Sequence, residues 1–372
     1  MIAAIVAIAL ATLLPAAPAR ADSFRSAEWH LTFLKVAQAQ AITKGEGVVV
    51  GVVDSGVYPH PDLRRNLLKG TDIVSAGSGD GQIDQEGHGT EMAGLIAGHG
   101  NSSNSGFLGI APGAKILPVR IANAVNNGGS LKLGDGIEWA VKHGAKVVNV
   151  SASVAPTFNL QDGIAAADSA DAVVVASNGN RSQDPSLAFP AAIPGVLAVG
   201  AIDRSAKHAS FSVTGPATQI CAPGVDILAP EPKDKYAKID GTSPATAIVS
   251  GAAALVRAKF PQLSAQEVIH RLTATATDIG KPGRDDECGF GVLNIVKALT
   301  ANVPPLVTST PTSSASATTA ATTPAAGPTT AAASPEATPT SKSTVFVVLG
   351  VIAVILFGGG FAFLSARRRK TS

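Results

Sequence analysis

The chain has 372 residues, a formal net charge of +2, two cysteines and a charged fraction of only 15%. That length exceeds one ordinary domain, the near-neutral balance argues against a nucleic-acid-binding surface, and two cysteines exclude a disulfide-dense scaffold or a four-cysteine zinc site. A charged fraction so far below that of an ordinary soluble domain means that unlike segments are being averaged.

Residues 2–14 form a nearly unbroken apolar run, followed by Ala19-Arg20-Ala21. This is the pattern of a secretion signal cut after Ala21, although no Lys or Arg precedes the run. The signal is therefore expected over 1–21. A folded domain is expected over 22–300. Its strand-like runs of Val, Ile and Ala fall at 48–53, 114–121, 145–150, 172–176 and 195–202. Helix-like runs fall at 88–98, 133–143, 161–170 and 242–260, and Ser264-x-x-Glu267 reads as a capping box. The strand runs are mostly continuous rather than alternating, which predicts an α/β domain with an open parallel sheet buried on both faces.

Residues 301–343 are dominated by Ala, Thr, Ser and Pro. Such a stretch has too little large apolar surface to offset the entropy of ordering, so a disordered stalk is expected. Residues 345–364 carry no charge and are rich in Val, Ile and Phe. At about 1.5 Å per residue they match the roughly 30 Å hydrocarbon core. A single C-terminal transmembrane helix is expected over 344–365. The basic tail over 366–372, with Arg367, Arg368, Arg369 and Lys370, should stay in the cytoplasm, leaving the domain outside the cell membrane. Arg20 carries one charge, and the segment after Thr300 has five cations against Glu336. Of the net +2, the stretch 22–300 therefore holds −3.

Three strings at element junctions carry chemistry. Val52-Val53-Asp54-Ser55-Gly56 puts a carboxylate at a strand end, with a glycine for the turn. In such sheets, sites form outside the carboxyl ends of the strands. Gly87-His88-Gly89-Thr90 puts an accessible imidazole at a helix start. Gly241-Thr242-Ser243-Pro244-Ala245-Thr246-Ala247 puts a hydroxyl at the positive end of the longest helix, where an N-cap is the plainer reading. Together they supply a nucleophile, a base and an orienting carboxylate.

The strings, and their order Asp, His, Ser, resemble the subtilisin-like serine proteases over about residues 45–296. That resemblance implies a three-layer fold with a central, mostly parallel sheet, and cleavage of protein or peptide substrates without a cofactor. It implies that Asp54 orients the imidazole, His88 acts as base and then acid, and Ser243 forms the acyl-enzyme. The family's oxyanion asparagine matches Asn180 in Ser177-Asn178-Gly179-Asn180, with Asn178 the neighbouring alternative. Substrate-binding segments match Ser151-Ala152-Ser153, where the family commonly has Ser-Leu-Gly, and residues 126–130 around Gly128. Pro244, Ala247 and Glu91 also depart from common family residues without removing a catalytic group. Asp62 matches a calcium ligand of some members, but the partner loop 101–107 has no carboxylate, so no metal is expected. Asp80, Asp84 and Glu86 read as a solvated acidic loop.

Too few residues separate Ala21 from the strand at 48 to form the family's usual pro-domain. Residues 23–41 are expected instead to form an arm pinned by Phe24, Trp29 and Leu31. A signal, a subtilisin-like domain, a stalk and one span with a basic tail together resemble the mycosin subfamily, which accompanies type VII secretion systems. This implies a membrane secretion complex as a partner, and leaves a scaffold role beside catalysis. An exported domain with an even cysteine count favours a Cys221–Cys288 disulfide, and two buried thiols are the alternative.

Overall fold

The structure is a computed structural model that describes residues 27–74, 78–100, 106–121 and 132–306. The expected signal, span and tail and the stalk from 307 onward, together with Phe24 and Gly128, lie outside the described residues, whereas Ala301 and Pro304 at the start of the expected stalk bond to Arg271 and His270 through their carbonyls. Among the described residues no helix is long and apolar enough to cross a membrane.

The chain opens with two short helices, α1 (Trp29–Phe33) and α2 (Val36–Gln40), before the first strand β1 (Val49–Asp54). Then come β2 (Thr71–Asp72), α3 (His88–Ala97), β3 (Lys115–Arg120), α4 (Leu133–Lys142), β4 (Val147–Val150) and α5 (Phe158–Ser169). The strands β5 (Val173–Ser177), β6 (Leu197–Ile202) and β7 (Ile220–Pro223) complete a seven-stranded sheet, in the order β2-β3-β1-β4-β5-β6-β7. Every pairing in it is parallel. A separate antiparallel hairpin, β8 (Ile227–Glu231) and β9 (Lys235–Ile239), leads into α6 (Thr242–Lys259), α7 (Ala265–Ala274) and α8 (Ile295–Thr300).

Successive strand side chains point to opposite faces, and both faces are covered. Val50, Val52, Val147, Val173 and Val175 join one core with α3, α6 and α7. Val53, Val148, Val150, Val174 and Ala176 join the other with α4 and α5. Three layers result, which is why the strand sequences are apolar throughout. A fully buried Leu or Ile side chain contributes about 1.5–3 kcal/mol, so these two layers hold the sheet edges in register. Helix α6 is buried all round from Thr242 to Arg257, apart from Ser243. It crosses the interior instead of lying on the surface. Gly251 lets it approach the loop before β3, since a Cβ there would sit 2.7 Å from Ile110 Cβ.

Most elements start within two residues of the sequence expectation. Helix α5 begins three residues earlier than the run at 161–170, because Thr157 caps it by accepting from Leu160 N–H at 3.1 Å. The capping box of α7 forms as read, with Ser264 and Glu267 bonding reciprocally. The arm docks through Trp29, whose indole N–H reaches the carbonyls of Val225 and Asp226 at 3.1 Å each. Cys221, on β7, is joined to Cys288 by a disulfide, so neither is a free thiol.

Candidate active site

Asp54 ends β1, at the carboxyl edge of the sheet and opposite Arg120 of β3. The chain turns there through Gly56, at φ 104°, where a Cβ would stand 2.1 Å from the Ile83 carbonyl oxygen. Only glycine fits that approach. The buried Asp54 carboxylate receives Ser55 N–H at 2.7 Å and His88 Nδ1 at 2.8 Å. His88 is the first residue of α3. With its Nδ1 proton on Asp54, its Nε2 carries the lone pair.

The turn holding His88 depends on Asp84, whose place differs from the one expected from the sequence. Asp84 is buried, not part of a solvated acidic loop; Asp80 and Glu86 are exposed. Asp84 Oδ1 accepts from Gly87 N–H at 2.8 Å and Ser55 Oγ at 3.0 Å, and Oδ2 accepts from Thr90 N–H at 2.9 Å. The carboxylate thereby satisfies donors of the first turn of α3 that have no helical partner. An aspartate four residues before a helix-starting histidine was the available signal.

Burial opposes charging His88, but the charge and hydrogen bond of Asp54, helped by Glu91 and Asp84, raise its pKa to about 9. The His88 side chain stays 31% exposed while its Nδ1 faces the carboxylate, so the anion's pull outweighs burial. Glu91 lies one helical turn after His88. Its own pKa is raised to about 7, first by burial and then by Glu231, Asp54 and Asp84, against the pull of His88.

Ser243 is the second residue of α6, which packs against α3. Pro244 falls in the first turn, where no N–H is needed. The Ser243 hydroxyl donates to the Ser151 carbonyl at 3.3 Å rather than to His88. Ser151 Oγ in turn donates to the Ser243 carbonyl at 3.2 Å and accepts from Asn149 Nδ2 at 3.1 Å. Asn149 Oδ1 accepts from Ser250 of α6 at 3.0 Å. The structure thus brings Asp54 to His88, and separately brings Ser243 to Ser151.

Asn180 and Asn178 differ sharply. Asn178 is fully buried, with its amide donating to Val213 O and Thr218 Oγ1. Asn180 is half-buried, and its Oδ1 accepts from Thr242 N–H at 3.1 Å. With the oxygen tied to Thr242, the Asn180 Nδ2 faces the Ser243 turn: it and the Ser243 N each lie 3.7 Å from where a Cβ on Gly241 would stand. Ala152 is half-buried and Ser153 exposed, on the strand extension that begins at Ser151. Asp62 is buried and accepts from Phe107 N–H at 2.8 Å and from the Tyr236 hydroxyl. Among the described residues no group of three or more His, Cys, Asp or Glu is arranged to hold a metal ion.

A family model described as "Subtilase family" (Peptidase_S8) matches residues 45–291. Subtilisin Savinase of Lederbergia lenta is 40% identical over 237 residues, 63% of this chain and 86% of that protein. Among solved structures, MycP1 from Mycobacterium smegmatis is 30% identical with a TM-score of 0.64, covering 74% of this chain and 85% of that one. The MycP3 protease from a type VII (ESX-3) secretion system is 32% identical with a TM-score of 0.64, covering 74% of this chain and 88% of that one.

Proposed function

The chain belongs to the subtilase family of serine proteases, and on that premise we propose that it is a membrane-anchored, extracytoplasmic endopeptidase working beside a type VII secretion complex. The observation that carries the catalytic part is the 2.8 Å contact between Asp54 Oδ1 and His88 Nδ1. It leaves His88 Nε2 as the base. Substrate binding turns the Ser243 hydroxyl from Ser151 toward that nitrogen, since catalytic hydrogen bonds often tighten only in the complex. Ser243 Oγ then attacks the scissile carbonyl as His88 takes its proton. Asn180 Nδ2 and the Ser243 N–H receive the developing oxyanion. His88 returns the proton to the leaving amine, and water resolves the acyl-enzyme by the same route. The substrate lies along Ser151, Ala152 and Ser153. Anchoring is supported by the apolar run at 345–364 with its basic tail, and the secretion partner by likeness to the MycP structures.

A membrane-impermeant fluorophosphonate added to intact cells tests both parts. It should label Ser243, and the labelled chain should stay with the membrane through an alkaline wash. Labelling that needs cell lysis would overturn the topology. Purified protein that takes up no label would overturn the catalytic role.

The pH dependence follows from the charges around His88. The base must be neutral, so kcat/KM should climb as pH rises through His88's pKa, near 9. Glu91 is ionised above about pH 7 and helps to hold the proton on His88. Glu91→Gln removes that anion and should move the acid limb of kcat/KM to lower pH. A limb that stays put or moves up would contradict the assigned coupling.

A further inference from the structure

One carboxylate outside the triad joins the two walls beside Ser243. Asp184 Oδ2 accepts from the Asn180 N–H and from Ser153 Oγ, each at 3.0 Å. The Asp184 N–H closes a turn back onto the Asn180 carbonyl at 2.8 Å. Gly179, at φ 98°, makes room for this carboxylate: a Cβ there would stand 2.6 Å from Asp184 Oδ2. The Asn180 side chain is gripped from the opposite end by Thr242, the neighbour of Ser243. Ser153 lies two residues beyond Ser151, whose carbonyl holds the Ser243 hydroxyl.

We propose that Asp184 is a positioning residue that sets the Asn180 amide against the developing oxyanion and locks it to the Ser151–Ser153 wall. The inference rests on the endopeptidase reading above. Asp184 touches no reacting atom; it acts through Asn180. Its backbone bond fixes where the Asn180 Cα sits, and Thr242 fixes which way the amide faces. Without the carboxylate the Asn180 N–H loses its acceptor, and the residue is held by its carbonyl, which takes the Gln183 and Asp184 N–H groups, and by Thr242. Ser153, a departure from the glycine common at this position, supplies the hydroxyl that ties the second wall to the same oxygen. A donor aimed at a transition-state charge works only at its proper distance, so loosening it slows chemistry more than it weakens substrate binding.

The test uses the full chain and a quenched fluorescent peptide, chosen from a mixed library for cleavage by the wild type. Asp184→Ala should lower kcat about 10-fold or more and leave KM little changed. Asp184→Asn keeps an oxygen acceptor for both donors and should stay within about fivefold of wild type. Asn180→Ala should cost about 10²–10³ in kcat. Adding Asp184→Ala to Asn180→Ala should then cost almost nothing more, because the residue through which Asp184 acts is gone. Fully additive losses, or a wild-type kcat in Asp184→Ala, would overturn the proposal while leaving the endopeptidase reading intact. A wild type that cleaves nothing in the library would overturn that reading and this proposal with it.

Discussion

Ser243→Ala should lower kcat for peptide cleavage by about 10⁶-fold and abolish fluorophosphonate labelling. The size of the loss follows from the surroundings of the hydroxyl. No neighbour can take over as nucleophile. The Ser151 hydroxyl is buried, donates to the Ser243 carbonyl and accepts from Asn149. The Thr242 hydroxyl is held on Asn180 Oδ1. What survives should be the contribution of the oxyanion donors and of substrate binding, about 10³–10⁴ over water. The Ser243 side chain makes one long hydrogen bond, at 3.3 Å, to a carbonyl. Losing it should cost about 1 kcal/mol of stability or less, so the melting curve should barely move. A folded Ser243→Ala protein that still cleaves peptide at more than a trace, or still takes up label, would refute the nucleophile assignment.

Asp54→Asn should reduce kcat by about 10⁴-fold, with a change in pH dependence that distinguishes it from mere unfolding. Asp54 Oδ1 is committed to Ser55 N–H, so the new amide nitrogen takes the Oδ2 place, 3.0 Å from His88 Nδ1. The nearer Oδ1 can still accept from Nδ1, but the Oδ2 place now offers that nitrogen a donor, which favours the tautomer with its proton on Nε2. That tautomer cannot accept from Ser243. Removing the anion also removes the main force raising His88 to about 9, so burial dominates and the pKa falls. The acid limb of kcat should therefore move down in pH even as its plateau collapses. Stability should respond with a definite sign. A histidine whose pKa is raised in the folded state contributes stability below its unfolded value, near 6.5, and loses it as pH rises through about 9. The gap in stability between wild type and Asp54→Asn should thus be widest below pH 6.5 and shrink toward pH 9. Urea unfolding at several pH values measures it. A gap that widens with pH would contradict the pairing.

The Asp54, His88 and Ser243 strings were legible because each puts a reactive residue where a buried element begins or ends, with glycine nearby. The parallel sheet was legible from its continuous Val and Ile runs. Other features left no such mark. Asp84 reads as one of three acidic residues in a polar loop, yet burial gives it a different role from Asp80 and Glu86. The hairpin β8–β9 carries Pro230 and two lysines, Lys235 and Lys238, and so lacks a clean strand pattern. The short strand β7 is hidden among Cys and Pro, and is defined by its pairing with β6.

By itself, the sequence determined most strands and helices of the folded domain and the residue types at each junction. These depend on local terms: apolar periodicity, caps, glycine turns and uncharged runs. The tertiary structure alone decided which junctions meet. His88 lies 34 residues from Asp54, and Ser243 lies 92 from Ser151. Their contacts arise because the sheet order places β1 between β3 and β4, and because α6 threads the core beside α3. The Cys221–Cys288 disulfide is the pairing that two cysteines in one exported domain already favour, but the burial of Asp84 and the Asp184 bridge have that tertiary origin. Each is a choice among distant partners, made when the whole core closes; local propensity carries no information about that choice.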